Sequence, residues 1–186
     1  MALIEVLTNL PRRGPVTLNF QVGSSTDDCM NTIQTQVYDY VCVPLTTYTS
    51  GYRFTNVQIP KSATIISATF SGYVYGTFNQ INATIYGDKE PNVLTFNATN
   101  GFPPSKTFTS SSVFWSNHAA TYPAFNNSPD ISAIVQEIVN QSGWAPGNAM
   151  AILTYAPIPT TYYGTFYSYR QSSSVAAKLS ITYQHV

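Results

Sequence analysis

Charge is what this chain most lacks. Asp, Glu, Lys and Arg make up 9% of its 186 residues, against about 25% in an ordinary soluble domain, and eight acids cancel eight bases. So few cations, scattered along the chain, cannot build a stripe that tracks phosphates, which argues against a nucleic-acid partner. Only Arg12 and Arg13 are adjacent, and they read as a solvated arm. No apolar run approaches the length of a membrane span, so membrane insertion is not expected.

Histidine is equally scarce: His118 and His185 are the only two, and His185 is next to the last residue. No Gly-X-Ser-X-Gly elbow, phosphate loop or HEXXH run occurs. A glycosidase would need two carboxylates flanking a cleft, but Asp130 reads as part of a helix start and Glu137 as part of that helix's solvated face. The chain therefore reads as non-enzymatic. Cysteine is limited to Cys29 and Cys42. They are candidates for one disulfide closing a short loop, or for two buried thiols on neighbouring strands. Without histidines nearby they do not make a zinc site.

Hydrophobic residues reach 44% and aromatic residues 14%, enough to bury a core in one domain of this length. With so little charge, the surface must be built from Ser, Thr, Asn, Gln and Tyr, as in extracellular modules, viral fibres and pilus subunits. The four Asn-X-Ser/Thr sequons at Asn82, Asn97, Asn126 and Asn140 need no special cause in such a composition. The first thirteen residues lack a basic start and a long apolar centre, and Glu5 interrupts them, so they do not read as a secretory signal. If Met1 is the true start, a virion protein reconciles the surface-like composition with that absence; a chain whose signal has been removed does so equally.

Residues 1–14 read as an arm or edge strand suited to assembly, and 15–186 as one domain. Strand signals then follow at short intervals. Val16–Val22, Thr35–Val43 and Gly51–Ile59 alternate apolar and polar residues, the period of a half-buried strand. Ala63–Tyr75 is a longer strand with a bend expected at Gly72. Further strands are expected at Ile81–Tyr86, Lys106–Trp115, Ala149–Ala156, Gly164–Arg170 and Val175–Tyr183, and a loop at Ser116–Asn127. One segment breaks this rhythm. Ile131, Ile134, Val135 and Ile138 recur at helical spacing. Ser128-Pro129-Asp130 supplies a cap, a proline and an acid at the helix start, and Gly143 a stop. Trp144 reads as a core plug and Pro146-Gly147 as a turn. The expected fold is all-β: a single antiparallel β-sandwich, jelly-roll-like, with one short helix near residues 129–141.

Three segments carry a resemblance. They are Gly51–Phe70, with Arg53-Phe54, Ile59-Pro60 and Ala63-Thr64-Ile65; the helix with Gly143-Trp144 and Gly147-Asn148-Ala149; and Ala176–Tyr183. In that order the chain resembles β-sandwich modules of the DNRLRE-like and carbohydrate-binding-like type, over most of residues 20–184. The resemblance implies the sandwich fold. Such modules sit in secreted and cell-surface proteins and in phage structural proteins, and fold does not fix activity.

Exposed aromatic rings beside polar groups are the means by which proteins hold sugars. Tyr162, Tyr163, Tyr167 and Tyr169 form one candidate cluster for a glycan or protein partner, Tyr73 and Tyr75 another, with Trp115 as a third position. In each cluster, alternate members are also expected in the core. Asp27 and Asp28 could offer hard oxygen ligands to calcium, or form a solvated turn; no other cofactor is implied. Arg53 and Arg170 are expected to pair an acid or bond a carbonyl. The leading expectation is a virion structural protein, namely a capsid decoration, head-fibre or tail-associated subunit on the particle surface. Its partners would be copies of itself and other virion proteins. A secreted or cell-surface carbohydrate-binding or adhesive module is the first alternative, and an extracellular filament subunit the second.

Overall fold

The computed structural model describes residues 14–31, 33–34, 40–43, 49–75, 81–156 and 164–185. The expected arm at 1–14 falls outside these apart from Gly14. Twelve strands occur among them: β1 (Val16–Gln21), β2 (Asp28–Met30), β3 (Ile33–Gln34), β4 (Tyr40–Val43), β5 (Thr49–Phe54), β6 (Thr64–Tyr75), β7 (Ile81–Gly87), β8 (Val113–Asn117), β9 (Phe125–Asn127), β10 (Met150–Tyr155), β11 (Gly164–Tyr167) and β12 (Lys178–Gln184). The single α-helix among the described residues, α1 (Ser132–Val139), precedes β10. The strands make two antiparallel sheets, as the alternation predicted. One runs β1-β12-β6-β11-β4 with β9 also on β6; the other runs β3-β2-β5-β10-β7-β8.

The sheets meet through aromatic rings. Phe70 of β6 lies 4.8 Å from Tyr52 of β5, 6.1 Å from Trp115 of β8 and 6.3 Å from Phe166 of β11, centroid to centroid. All four side chains are buried. Trp144 plugs the core as expected, with its indole N–H donating to the Ile59 carbonyl at 2.9 Å. A second, smaller apolar cluster gathers Cys29, Val93, Phe96, Ala151 and Leu153 on the other side of β10.

β6 crosses Gly72 without interruption, so the expected bend is not why glycine stands there. A Cβ at Gly72 would lie 2.3 Å from the Phe166 ring. The ring occupies the space a side chain would need. Gly72→Ala is therefore expected to destabilise the fold at the upper end of the overpacking range, about 3 kcal/mol, in a urea titration. An unchanged midpoint would mean that Phe166 does not lie against this backbone.

The segment 125–136 covers an edge of β6. β9 pairs with Ser71–Tyr73. The Ser128 amide donates to the Phe70 carbonyl at 2.8 Å, and the Phe70 amide donates to Ser128 Oγ at 3.1 Å. The Ile131 amide meets the Ala68 carbonyl, and the Ala68 amide meets Asp130 Oδ1. Gln136 then bonds both the Ile65 amide and the Ala63 carbonyl. Backbone groups that would otherwise template another strand are thus satisfied by a short strand, a loop and a helix in succession. Two expectations change here. Ser116–Asn127 is not all loop, because β8 and β9 take its ends. The helix begins later than 129, because Ser128 serves β6; Asp130 Oδ1 accepts instead from the Ser132 amide at 3.2 Å. Nor does Gly143 stop the helix: α1 ends at Val139, and Gly143 instead lies close against Pro91.

Two carboxylates hold this helix in place. Burial pushes the Asp130 carboxyl up, but hydrogen bonds from the Ala68 and Ser132 amides and the Ser132 hydroxyl outweigh it and lower the pKa. Burial also raises Glu137, and hydrogen bonds from the Ser111 and Ser110 amides, helped by Lys89, leave it lowered. A depressed folded pKa means stability that is present above the unfolded value and lost as pH falls through the folded one. Thermal melts are thus expected to drop between neutral and strongly acidic buffer, and to drop less in Glu137→Gln. An equal acid loss in that variant would contradict the Glu137 assignment.

Candidate functional site

Alternation in β1, β12 and β6 sends one set of side chains into the core and the other outward. In β1 the outward set is Thr17, Asn19 and Gln21, all exposed. Register aligns them with the neighbouring strands. Asn19 lies opposite Ser180, and Ser180 opposite Thr69; Gln21 lies opposite Lys178, Lys178 opposite Ser71, and Ser71 opposite Asn127. The rows are cross-linked: Thr17 and Thr182 share a hydroxyl hydrogen bond of 2.9 Å, and Ser71 Oγ donates to Asn127 Oδ1 at 2.7 Å. A groove of about 610 Å³ lies over these rows, lined by Asn19, Gln21, Thr69, Ser71, Asn127, Lys178 and Ser180 together with Phe20 and Leu179. Lys178 is the one charged residue of that lining, and its Nζ sits 3.9 Å from the centre of the Phe125 ring.

Two residues along the β6-β9 ladder from the Ser71–Asn127 pair, Tyr73 lies opposite Phe125. Tyr73 stands edge-on to Phe125 with centroids 5.0 Å apart, and Tyr167 lies 5.9 Å from Tyr73. All three rings are half-buried. The structure therefore brings together two of the tyrosines singled out in sequence, Tyr73 and Tyr167, from two different clusters. Phe166, between them in chain order, is core.

The other candidates fare differently. Tyr162 and Tyr163 lie outside the described residues, as does the side chain of Tyr75, whose backbone ends β6 opposite Thr165. Tyr169 is half-buried against the core, and its amide donates to Asp28 Oδ2 at 2.7 Å. Trp115 is not a surface platform: it is 2% exposed and packs on Phe70 and Phe166. The polar residues that follow it belong to the end of β8 and the turn beyond.

The Asp27-Asp28 pair is not a solvated turn. Both side chains are buried. Asp27 Oδ1 pairs with Arg53 Nη1 at 2.7 Å and also accepts from the Thr95 hydroxyl at 3.3 Å. Arg53 thus pairs an acid, as expected, and its Nε donates to the Val93 carbonyl at 2.7 Å. Asp28 is spent on the Tyr169 amide. Among the described residues no group of three or more His, Cys, Asp or Glu gathers as metal ligands would.

The candidate Cys29–Cys42 disulfide is not formed. Cys29 is a buried thiol on β2, and Cys42 belongs to β4 in the opposite sheet. Burial, with Asp28 adding to it, pushes the Cys29 thiol up to about 12, which leaves no thiolate for nucleophilic chemistry near neutral pH. Sequence reasoning missed the groove, although the outward phase of β1 was visible in its alternation. No protein-family model matches the chain, and no curated protein matches it either.

Proposed function

We propose that this chain is a non-enzymatic structural subunit displayed on the surface of a virion, as a capsid decoration, head-fibre or tail-associated component that assembles with copies of itself and with other virion proteins. The observation that carries this reading is the outer face of the β1-β12-β6 sheet. It presents hydroxyls and amides in register, with one lysine among them. A protein pressed against such a face removes almost no charge from water, so the desolvation penalty that opposes many interfaces is small. β1 is also the last strand of its sheet among the described residues, and its outer edge offers backbone groups to an added strand. That edge suits the filament form of the same reading. The resemblance to DNRLRE-like modules enters only through the fold.

Placing charge on the face tests this. Asn19→Glu with Ser180→Glu alters outward positions only and leaves the core intact. The unaltered chain is expected to sediment as an oligomer or a ladder of assemblies, and the double variant as a folded monomer. A chain that stays monomeric at every concentration would sink the proposal.

The groove favours a second reading, a secreted or cell-surface carbohydrate-binding or adhesive module. Amides and hydroxyls beside the Tyr73, Phe125 and Tyr167 rings suit a polyhydroxylated ligand. Under this reading a monomer would bind polysaccharide in calorimetry, and Tyr73→Ala with Asn127→Ala would lose that binding while keeping the fold.

A further inference from the structure

We infer that Lys106 and Asp88 are partners in an intramolecular amide bond between Lys106 Nζ and Asp88 Cγ, with Glu90 carrying the protons. Asp88 closes β7. Its amide donates to the Ala151 carbonyl at 3.0 Å, and its backbone pairs with Phe108, which sets it beside the smaller apolar cluster. The side chains of Asp88 and Lys106 are 0% and 2% exposed. Lys106 Nζ lies 3.7 Å from Asp88 Oδ2, and it donates to Glu90 Oε1 at 3.1 Å and to the Asn100 carbonyl at 3.0 Å. Glu90 reaches from this site to solvent, its side chain 47% exposed.

An ordinary buried ion pair does not fit this geometry. Such a pair offsets its desolvation only with short hydrogen bonds to every oxygen. Here Asp88 Oδ1 accepts from the Glu90 amide at 3.1 Å, whereas Oδ2 is buried without a hydrogen bond among the described residues. An orphaned carboxylate oxygen calls for an explanation. Burial, the largest influence, pushes the Asp88 carboxyl up to about 6, while the Glu90 amide and Lys106 pull the other way. Amide formation consumes the neutral acid and the neutral amine, and burial moves Asp88 toward the first of these.

The step balances without an oxidant or co-reactant. A proton passes from the Lys106 ammonium through Glu90 to the Asp88 carboxylate. The amine lone pair then attacks Cγ, forming the N–C bond while the carbonyl pair moves onto oxygen. Glu90 takes a second proton from nitrogen and hands it to the Asp88 hydroxyl. The C–O bond breaks, water leaves, the carbonyl re-forms, and Glu90 is a carboxylate again. Holding the groups a few ångströms apart makes the step intramolecular and raises their effective concentration far above that of free groups. The amide also replaces two buried charges. The bond would tie the end of β7 to the segment before β8, a cross-link in a protein whose Cys29 is not bridged.

Intact mass and fragmentation of proteolytic peptides test this on the whole chain. The expected result is a mass lower than the sequence value by one water, and a branched peptide joining residues 88 and 106. Lys106→Arg removes the nucleophile and is expected to restore the full mass. Glu90→Gln keeps both reacting groups and is expected to leave them largely unlinked in a folded protein. A full-mass wild-type chain after prolonged incubation in the folded state would overturn the inference. So would a water loss mapped to other residues, or full linkage in Glu90→Gln.

Discussion

Replacing Phe70 with alanine is expected to lower stability by about 3–5 kcal/mol, the range for deleting a fully buried phenylalanine. The position earns the upper part of that range. Phe70 is 0% exposed and stands among Tyr52, Trp115 and Phe166, so its loss removes ring contacts to both sheets at once. Those neighbours are themselves fixed: Phe166 lies against Gly72, and Tyr52 comes from the central part of the opposite sheet. Little can collapse into the space, and the cavity adds to the lost transfer free energy. The check is a urea titration with the slope of the transition compared between variants, because only a midpoint change at constant slope reports the native state. A loss below about 1 kcal/mol would mean that the two sheets do not meet through this ring.

Arg53→Ala is the second large effect, expected to cost about 3–5 kcal/mol. The figure reflects what is left behind more than what the pair contributes. Asp27 would keep a hydrogen bond from the Thr95 hydroxyl but lose its only close cation among the described residues, in a side chain 7% exposed. The Val93 carbonyl would lose the Nε donor as well. The double variant Arg53→Met with Asp27→Ala removes both charges together and is expected to recover a large part of the loss. Equal losses in the single and double variants would show that packing of the arginine stem, not the stranded carboxylate, sets the cost.

How much of this was legible in the sequence depended on how local the signal was. β1 was plain because Val16, Leu18 and Phe20 alternate with Thr17, Asn19 and Gln21, and the structure half-buries the apolar three in that phase. The helix was plain because Ile131, Ile134, Val135 and Ile138 leave only one face to bury, and all four are buried. Its start was misread because the Ser128 oxygen had two amides to choose from, its own helix's and that of Phe70, and only the fold brings the second within reach. Trp115 was misread for a related reason. Phe114 and Trp115 are both large and apolar, so periodicity cannot phase them; pairing with β7 turns Trp115 inward and leaves Phe114 62% exposed.

The candidate site was legible only in fragments. Tyr73 and Tyr167 stood out as aromatics on alternating strands, but nothing in the sequence joined one to the other. The groove draws on Asn19, Thr69, Asn127 and Lys178, which come from four different strands and converge only through pairing on β6 and β12. The ionic pairs are hidden in the same way. Arg53 meets Asp27 across a chain separation of 26 residues, and Lys106 meets Glu90 across 16.

The central claim is that this sandwich works as an assembling subunit, and a native mass spectrum of the full chain beside one lacking residues 1–14 tests it most directly. The account predicts a defined oligomer or a ladder of assemblies for the full chain, and a folded monomer once residues 1–14 are removed. A full chain that is monomeric throughout, with polysaccharide binding lost on Tyr73→Ala, would contradict it and leave the carbohydrate-binding reading in its place.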